Sequence, residues 1–276
     1  LVLVLSNGQT WEFSGAAGGW SQKSVPGPAA RRGMALGYDR IRDRTYYFGG
    51  TIGAARQADT WEWDGQQWRN LGIAGPSART EARTAFDTVN NRLLLFGGTG
   101  PASVRLRDTW SFDGSTWQQV LATGPTTASG NGGAAMVFDS ARRQTMLLGG
   151  NISPWADLCM LDLDATGWTE VTFGPGSRSG VAAAYDTVRG RAVIFGGLGS
   201  SRFGDTWEFD GGQWRQVATT GPSPRNESAM AYDPVRHRVV LFGGNTSVVN
   251  GETWEWDGST WTLVSTTGPS ARDRHA

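Results

Sequence analysis

Short apolar runs and polar, glycine-rich connections alternate along the whole chain, and the alternation repeats about every 48 residues. The clearest copy runs from Gly221 to Trp261 and carries four segments of strand character. SAMAYD (228–233) is small and apolar, and RVVLFGG (238–244) is a continuous apolar run closed by a glycine pair. ETWEWD (252–257) alternates large apolar with polar residues, and TWTLV (260–264) does so again. Alternation predicts a half-buried strand, and the continuous run predicts one buried on both faces. Asp257-Gly258 predicts a two-residue hairpin with positive φ at both turn positions.

The landmarks recur in register. Glycine pairs stand at 49–50, 97–98, 149–150, 196–197 and 243–244. The third segment carries Trp11, Trp61, Trp110, Trp207 and Trp254, with Cys159 in that slot in the remaining copy. The fourth carries Trp20, Trp68, Trp117, Trp168, Trp214 and Trp261. Four short strands per unit, repeated around an axis, predict the blades of an all-β propeller.

The apolar run into Gly-Gly, then an aromatic, then six residues, then Trp (Trp61 to Trp68, Trp110 to Trp117, Trp207 to Trp214, Trp254 to Trp261) resembles the kelch-repeat family. The resemblance spans essentially all 276 residues, with Trp where the commonest kelch pattern has Tyr. It implies a kelch-type β-propeller of four antiparallel strands per blade. Members of the family serve as interaction domains, enzymes and sugar-binding modules, so the resemblance speaks to fold more than to function. Its copper-oxidase branch implies Tyr, His and Cys ligands near the axis, and its iron-dependent specifier branch a spaced Glu/Asp/His group; neither set is found in this sequence.

Blade number follows from the ends. Leu1-Val-Leu-Val-Leu reads as a second strand without its first, and Arg272-Asp-Arg-His-Ala as the lead-in to a first strand. Together they predict six blades: five contiguous and one shared between the N- and C-termini, which closes the ring and removes a sheet edge. Residues 1–276 are then one domain.

Composition narrows the function classes. The 25 basic and 25 acidic residues cancel, which gives no electrostatic case for nucleic acid or an anionic membrane. Two histidines far apart and one cysteine supply no transition-metal set, and no phosphate-binding glycine loop or nucleophile elbow is present. A monomer without cofactor or metal is expected.

The connections from first to second strand (DRIRDR, DTVNNR, DTVRGR, DPVRHR) and from third to fourth are short and uniform. The loops leading into each first strand, and those between second and third, are long and variable, which places binding on their face. Asp39/Arg44, Asp87/Arg92, Asp186/Arg191 and Asp233/Arg238 on the uniform face read as ion pairs bracing turns. Eight residues before the aspartate ending each first strand stand Arg31, Arg79, Asn131, Arg178 and Arg225, with Arg272 as the sixth equivalent. Equivalent positions encircle the axis. They predict either a guanidinium-lined mouth for a carboxylate, sugar acid or acidic protein loop, or a bracing consensus in which each arginine is satisfied by its neighbours.

Residues that break the repeat are sharper candidates. Glu81 and Glu227 stand where other copies have Gly33, Gly133 and Gly180, and Arg83 where they have Ala35, Ala135, Ala182 and Ala229. Trp155 is an unscheduled aromatic, either a stacking platform or a filler for volume lost elsewhere in its copy. Three functions are compatible with this set. The first is a recognition module binding a small acidic ligand or a protein partner on the variable face. The second is a metal-free enzyme of sugar-acid epimerase, mutarotase or lyase type, with Glu81 or Glu227 catalytic. The third is a structural repeat, natural or engineered.

Overall fold

The structure is a computed structural model that describes residues 1–125, 133–150, 158–162, 167–171 and 174–273. Five antiparallel four-stranded blades follow one another along the chain. Blade 1 comprises Ala35–Asp39, Arg44–Phe48, Thr60–Trp63 and Trp68–Asn70, and blade 2 Arg83–Asp87, Arg92–Thr99, Arg105–Phe112 and Trp117–Leu121. Blade 3 comprises Ala134–Asp139, Gln144–Gly149, Leu158–Asp162 and Trp168–Val171, and blade 4 Ala182–Asp186, Arg191–Phe195, Thr206–Phe209 and Trp214–Ala218. Blade 5 comprises Ala229–Asp233, Arg238–Phe242, Thr253–Trp256 and Trp261–Ser265. First strands adjoin the first strands of neighbouring blades, so they surround the axis. Second strands are buried almost throughout, as their unbroken apolar runs require.

Among the described residues the expected six four-stranded blades are not formed; there are five. Val2–Val4, Thr10–Phe13 and Trp20–Lys23 make a sheet of three strands only. No shared strand joins it from the other end among the described residues. The backbone of Arg272 instead bonds Asn250 O (3.0 Å) and Gly244 N (2.9 Å), stitching the tail to blade 5 as a loop. In blades 1, 2, 4 and 5 the first strand starts four residues after the ring arginine, and four past Arg272 is Ala276, outside the described residues.

Two turn expectations are also corrected. The third-to-fourth hairpin of blade 5 is a four-residue loop, since Trp256 pairs with Trp261. Only Gly258 has positive φ (100°); the Asp257 carboxylate instead accepts the N–H groups of Ser259 and Thr260. On the other uniform turns the aspartate pairs three residues on, with Arg42, Arg142, Arg189 and Arg236, and only Asp87 pairs five residues on, with Arg92. Its second oxygen accepts the N–H groups two and three residues ahead, which draws that arginine over the turn.

A blade buries its faces only against its neighbours. Leu94 and Phe96 of blade 2 pack with Met136, Phe138 and Leu147 of blade 3, and Leu3 and Leu5 of the N-terminal sheet pack with Phe242 of blade 5. Each of these seams carries one repeated hydrogen bond. The tryptophan of a sheet's last strand donates Nε1 to the hydroxyl of the threonine just before the aromatic position on the adjoining strand of the preceding sheet. The pairs are Trp68–Thr10 (2.8 Å), Trp117–Thr60 (2.9 Å), Trp168–Thr109 (3.1 Å), Trp261–Thr206 (2.8 Å) and Trp20–Thr253 (2.8 Å). The last couples blade 5 to the N-terminal sheet, so side chains hold the two chain ends in one ring. Trp214 breaks the series: its Nε1 is buried without a partner. The strand register puts Leu158 in its threonine slot, opposite Leu148 as Thr206 is opposite Phe195.

Thr60→Val is expected to lower unfolding free energy by about 1–3 kcal/mol, because it leaves a buried indole N–H unpaired. Denaturant midpoints at constant slope measure it.

Candidate functional site

Four of the predicted ring arginines are almost wholly buried: Arg31, Arg79, Arg178 and Arg225. Each extends along its own blade. Arg79 donates Nε to Ser77 O (2.9 Å), Nη1 to Gly97 O (2.9 Å), and both Nη atoms to Asp108 (2.7 and 2.8 Å). Arg31 and Arg178 grip Asp59 and Asp205 in the same bidentate way, and Arg225 reaches Glu252 at 2.7 Å. The acid is held in turn by an indole N–H two residues on, from Trp61, Trp110, Trp207 or Trp254. Burial alone would raise these carboxyls; the arginine and tryptophan hydrogen bonds overcome it and hold Asp59, Asp108, Asp205 and Glu252 below the usual range. The guanidinium groups are thereby occupied within the scaffold.

Arg272 departs from this pattern. It donates to the carbonyl and hydroxyl of Ser270, and burial lowers its pKa with no carboxylate to offset it. The acid slot before Thr10 holds Gln9, whose side chain accepts from Trp11 at 3.4 Å. Asn131 and Trp155 lie outside the described residues.

Two residues past each ring arginine the chain turns at the mouth, and blades join there backbone to backbone. Glu81 N donates to Gly33 O (2.5 Å), Gly180 N to Gly133 O (2.8 Å) and Glu227 N to Gly180 O (2.7 Å). These positions need left-handed backbone: φ is 66° at Gly33 and Gly180. Glu81 (φ 61°) and Glu227 (φ 59°) adopt it although a Cβ there costs about 1 kcal/mol. Both act electrostatically on Arg83, whose first strand faces the axis. Glu227 belongs to blade 5 and Arg83 to blade 2, so the field crosses the channel. Burial pushes the Arg83 guanidinium pKa down, the two glutamates push it back up, and Nε has no hydrogen-bond partner. Glu81 and Glu227 thus both lie within electrostatic reach of Arg83, whereas the buried ring arginines are engaged with the acids of their own blades.

The variable loops add a feature that sequence reasoning missed. The residue after each ring arginine bridges to the second-to-third loop, forming a cross-strand row of three. The rows are Arg32–Thr51–Arg56 on blade 1, Thr80–Thr99–Arg105 on blade 2, Ser179–Leu198–Arg202 on blade 4 and Asn226–Asn245–Val249 on blade 5. Chemistry differs from row to row on one backbone plan, and that variation directly after a repeated arginine was the available signal. Around the rows, Ile52, Val104, Leu198, Val248 and Val249 stand exposed on the same face. Among the described residues no group of three or more His, Cys, Asp or Glu is placed to hold a metal, and no helix is long and apolar enough to cross a membrane.

Radially packed four-stranded blades with variable loops on one face define a β-propeller of the recognition type. A family model described as the KLHDC2/KLHL20/DRC7 Kelch-repeats domain matches residues 114–276, over half of the chain, and the chain belongs to the kelch-repeat family. No curated protein matches it.

Arg79→Ala is expected to cost about 3–5 kcal/mol, since it strands Asp108 and Gly97 O in a desolvated pocket; a denaturation curve measures it. The depressed carboxyls fix the pH dependence. Their contribution is complete above about pH 4, the unfolded carboxyl range, and is lost as pH falls through their folded values. Unfolding midpoints are therefore expected to drop steadily below about pH 4 and to stay flat for these groups above it.

Proposed function

We propose that this propeller is a protein-recognition module that takes an acidic segment with apolar side chains across its variable-loop face. The observation that carries this reading is the company of charges and apolar tips on that face. Asp59, Asp108, Asp205 and Glu252 are each taken up by a ring arginine. Arg32, Arg56 and Arg105 stand on the loops beside exposed Ile52 and Val104. Exposed apolar residues rimmed by arginine mark protein interaction surfaces. Kelch propellers generally bind protein partners, which agrees with the reading.

A second reading is a metal-free enzyme acting on a sugar acid or similar small acidic molecule. One observation favours it: two glutamates hold strained backbone beside a buried arginine at the axis.

The readings separate in one binding experiment. Blocked peptides rich in Asp, Glu, Leu and Phe are titrated by fluorescence anisotropy against lysine-containing counterparts of equal hydropathy. Recognition on the loop face requires preference for the acidic set, weakening with salt, and loss in the double variant Ile52→Asp/Val104→Asp at unchanged Tm. Equal binding of both sets, or indifference to the double variant, overturns it. An enzyme would instead respond to small sugar acids in a thermal-shift screen, and Glu81→Gln or Glu227→Gln would abolish turnover.

A further inference from the structure

Arg56 and Arg202 close equivalent rows on blades 1 and 4, and each is directed to the neighbouring blade. The Arg202 guanidinium is met there by two amide oxygens: Nε reaches Asn226 Oδ1 (3.1 Å) and Nη2 reaches Asn245 Oδ1 (2.9 Å). The corresponding row on blade 2 offers Thr80 and Thr99 in place of Asn226 and Asn245. The Thr80 hydroxyl is engaged by the carbonyl of Gly33 at 3.1 Å. Arg56 is left with one long contact, Nη2 to Ser103 Oγ at 3.4 Å, and its Nε is buried without a partner. A desolvated charged N–H with no acceptor is unfavourable unless something supplies one.

The surroundings say what would supply it. Arg32 and Arg56 flank Thr51 in one cross-strand row, with side chains on one face of the small sheet formed by Thr51–Ile52 and Ala55–Arg56. Beside it stands the hairpin tip of blade 2, where Ala102 (φ 53°) and Ser103 (φ 61°) are both left-handed without being glycine. That strained tip holds the Ser103 hydroxyl at Arg56, and Arg105 follows two residues later. The acids of the two blades' third strands are committed elsewhere, Asp59 to Arg31 and Asp108 to Arg79. Arg56 with its buried unpaired N–H, the Ser103 hydroxyl in contact with it, Arg32 and Thr51 in the same cross-strand row, and Arg105 two residues beyond Ser103 make a donor set that fits a tetrahedral dianion better than a flat carboxylate.

We propose that the paired hairpins of blades 1 and 2 form a subsite for a phosphomonoester, carried by a phosphorylated side chain of the bound protein segment. It rests on the recognition reading above and specifies its ligand. Arg56 is the central donor, Arg32 and Arg105 supply the remaining charge, and Thr51 and Ser103 supply hydroxyl donors.

The test uses the full chain and three probes: a blocked Gly-phosphoserine-Gly peptide, its glutamate counterpart, and inorganic phosphate. Binding is read by 31P NMR line broadening and by calorimetry. The phosphopeptide is expected to bind about tenfold more tightly than the glutamate peptide. Arg56→Ala is expected to remove that advantage, and Arg56→Lys to recover only part of it. Thr99→Asn supplies the acceptor that Asn245 gives Arg202, and is expected to weaken phosphopeptide binding while the fold is kept. Arg215→Ala, on the fourth strand of blade 4, is expected to leave it unchanged. Equal binding of phosphoserine and glutamate peptides overturns the subsite but leaves recognition of acidic segments standing. Phosphopeptide binding indifferent to Arg56→Ala also overturns it. Inorganic phosphate binding as tightly as the phosphopeptide overturns the assignment to a protein-borne group.

Discussion

The face of a blade has nothing to pack against except the next blade, and every other feature of this molecule depends on that. A twisted four-stranded sheet with two apolar faces is not stable alone. Here each seam interleaves side chains from successive sheets, and every seam but the one at Trp214 is pinned by an indole that donates to a threonine across it. Trp117 also packs against Phe112 at 4.9 Å and Phe48 at 5.4 Å between ring centres. The ring closes by the same means: Trp20 packs on Phe242 and donates to Thr253, so side chains join the N-terminal sheet to blade 5.

A second layer fixes the loops to that frame. The four buried ring arginines bind glycine-pair carbonyls, and their charge is balanced by an acid that a tryptophan also holds. Such a desolvated pair adds little net stability over an apolar substitute, but it specifies geometry. The loops of blades 1, 2, 4 and 5 depart from the same anchored point, and their differences begin one residue later.

The all-β architecture and the strand order were legible from the repeat, because glycine pairs and tryptophans recur at fixed spacing; the turns were legible in place, but their loop length and most of their ion-pair partners were not. The blade count was not. LVLVL reads as a strand in need of a partner, and no periodicity reveals whether Arg272 starts a strand or, as found, lies in a loop on blade 5. The role of Arg31, Arg79, Arg178 and Arg225 was visible only as a choice between two readings; their acids lie 27 to 29 residues downstream, a distance that sequence pattern does not bridge. Glu81, Arg83 and Glu227 were legible as exceptions to the repeat, although their meeting across the axis needed the ring itself. Arg56 has nothing in its own copy to set it apart from other loop arginines. Its importance arises from a missing acceptor on another blade, which no single copy displays.

The cross-strand rows separate two tasks that most folds mix. Their backbones are set by bonds between main-chain groups, as in Thr99 N to Thr80 O and Asn245 N to Asn226 O, and these are indifferent to the side chains present. Arginine, threonine, serine, asparagine, leucine and valine all occupy them in this one chain. A lineage can therefore exchange what this face greets by rewriting about a dozen surface letters while the frame beneath goes on folding as before. Selection for a new target and selection for staying folded then act on different residues.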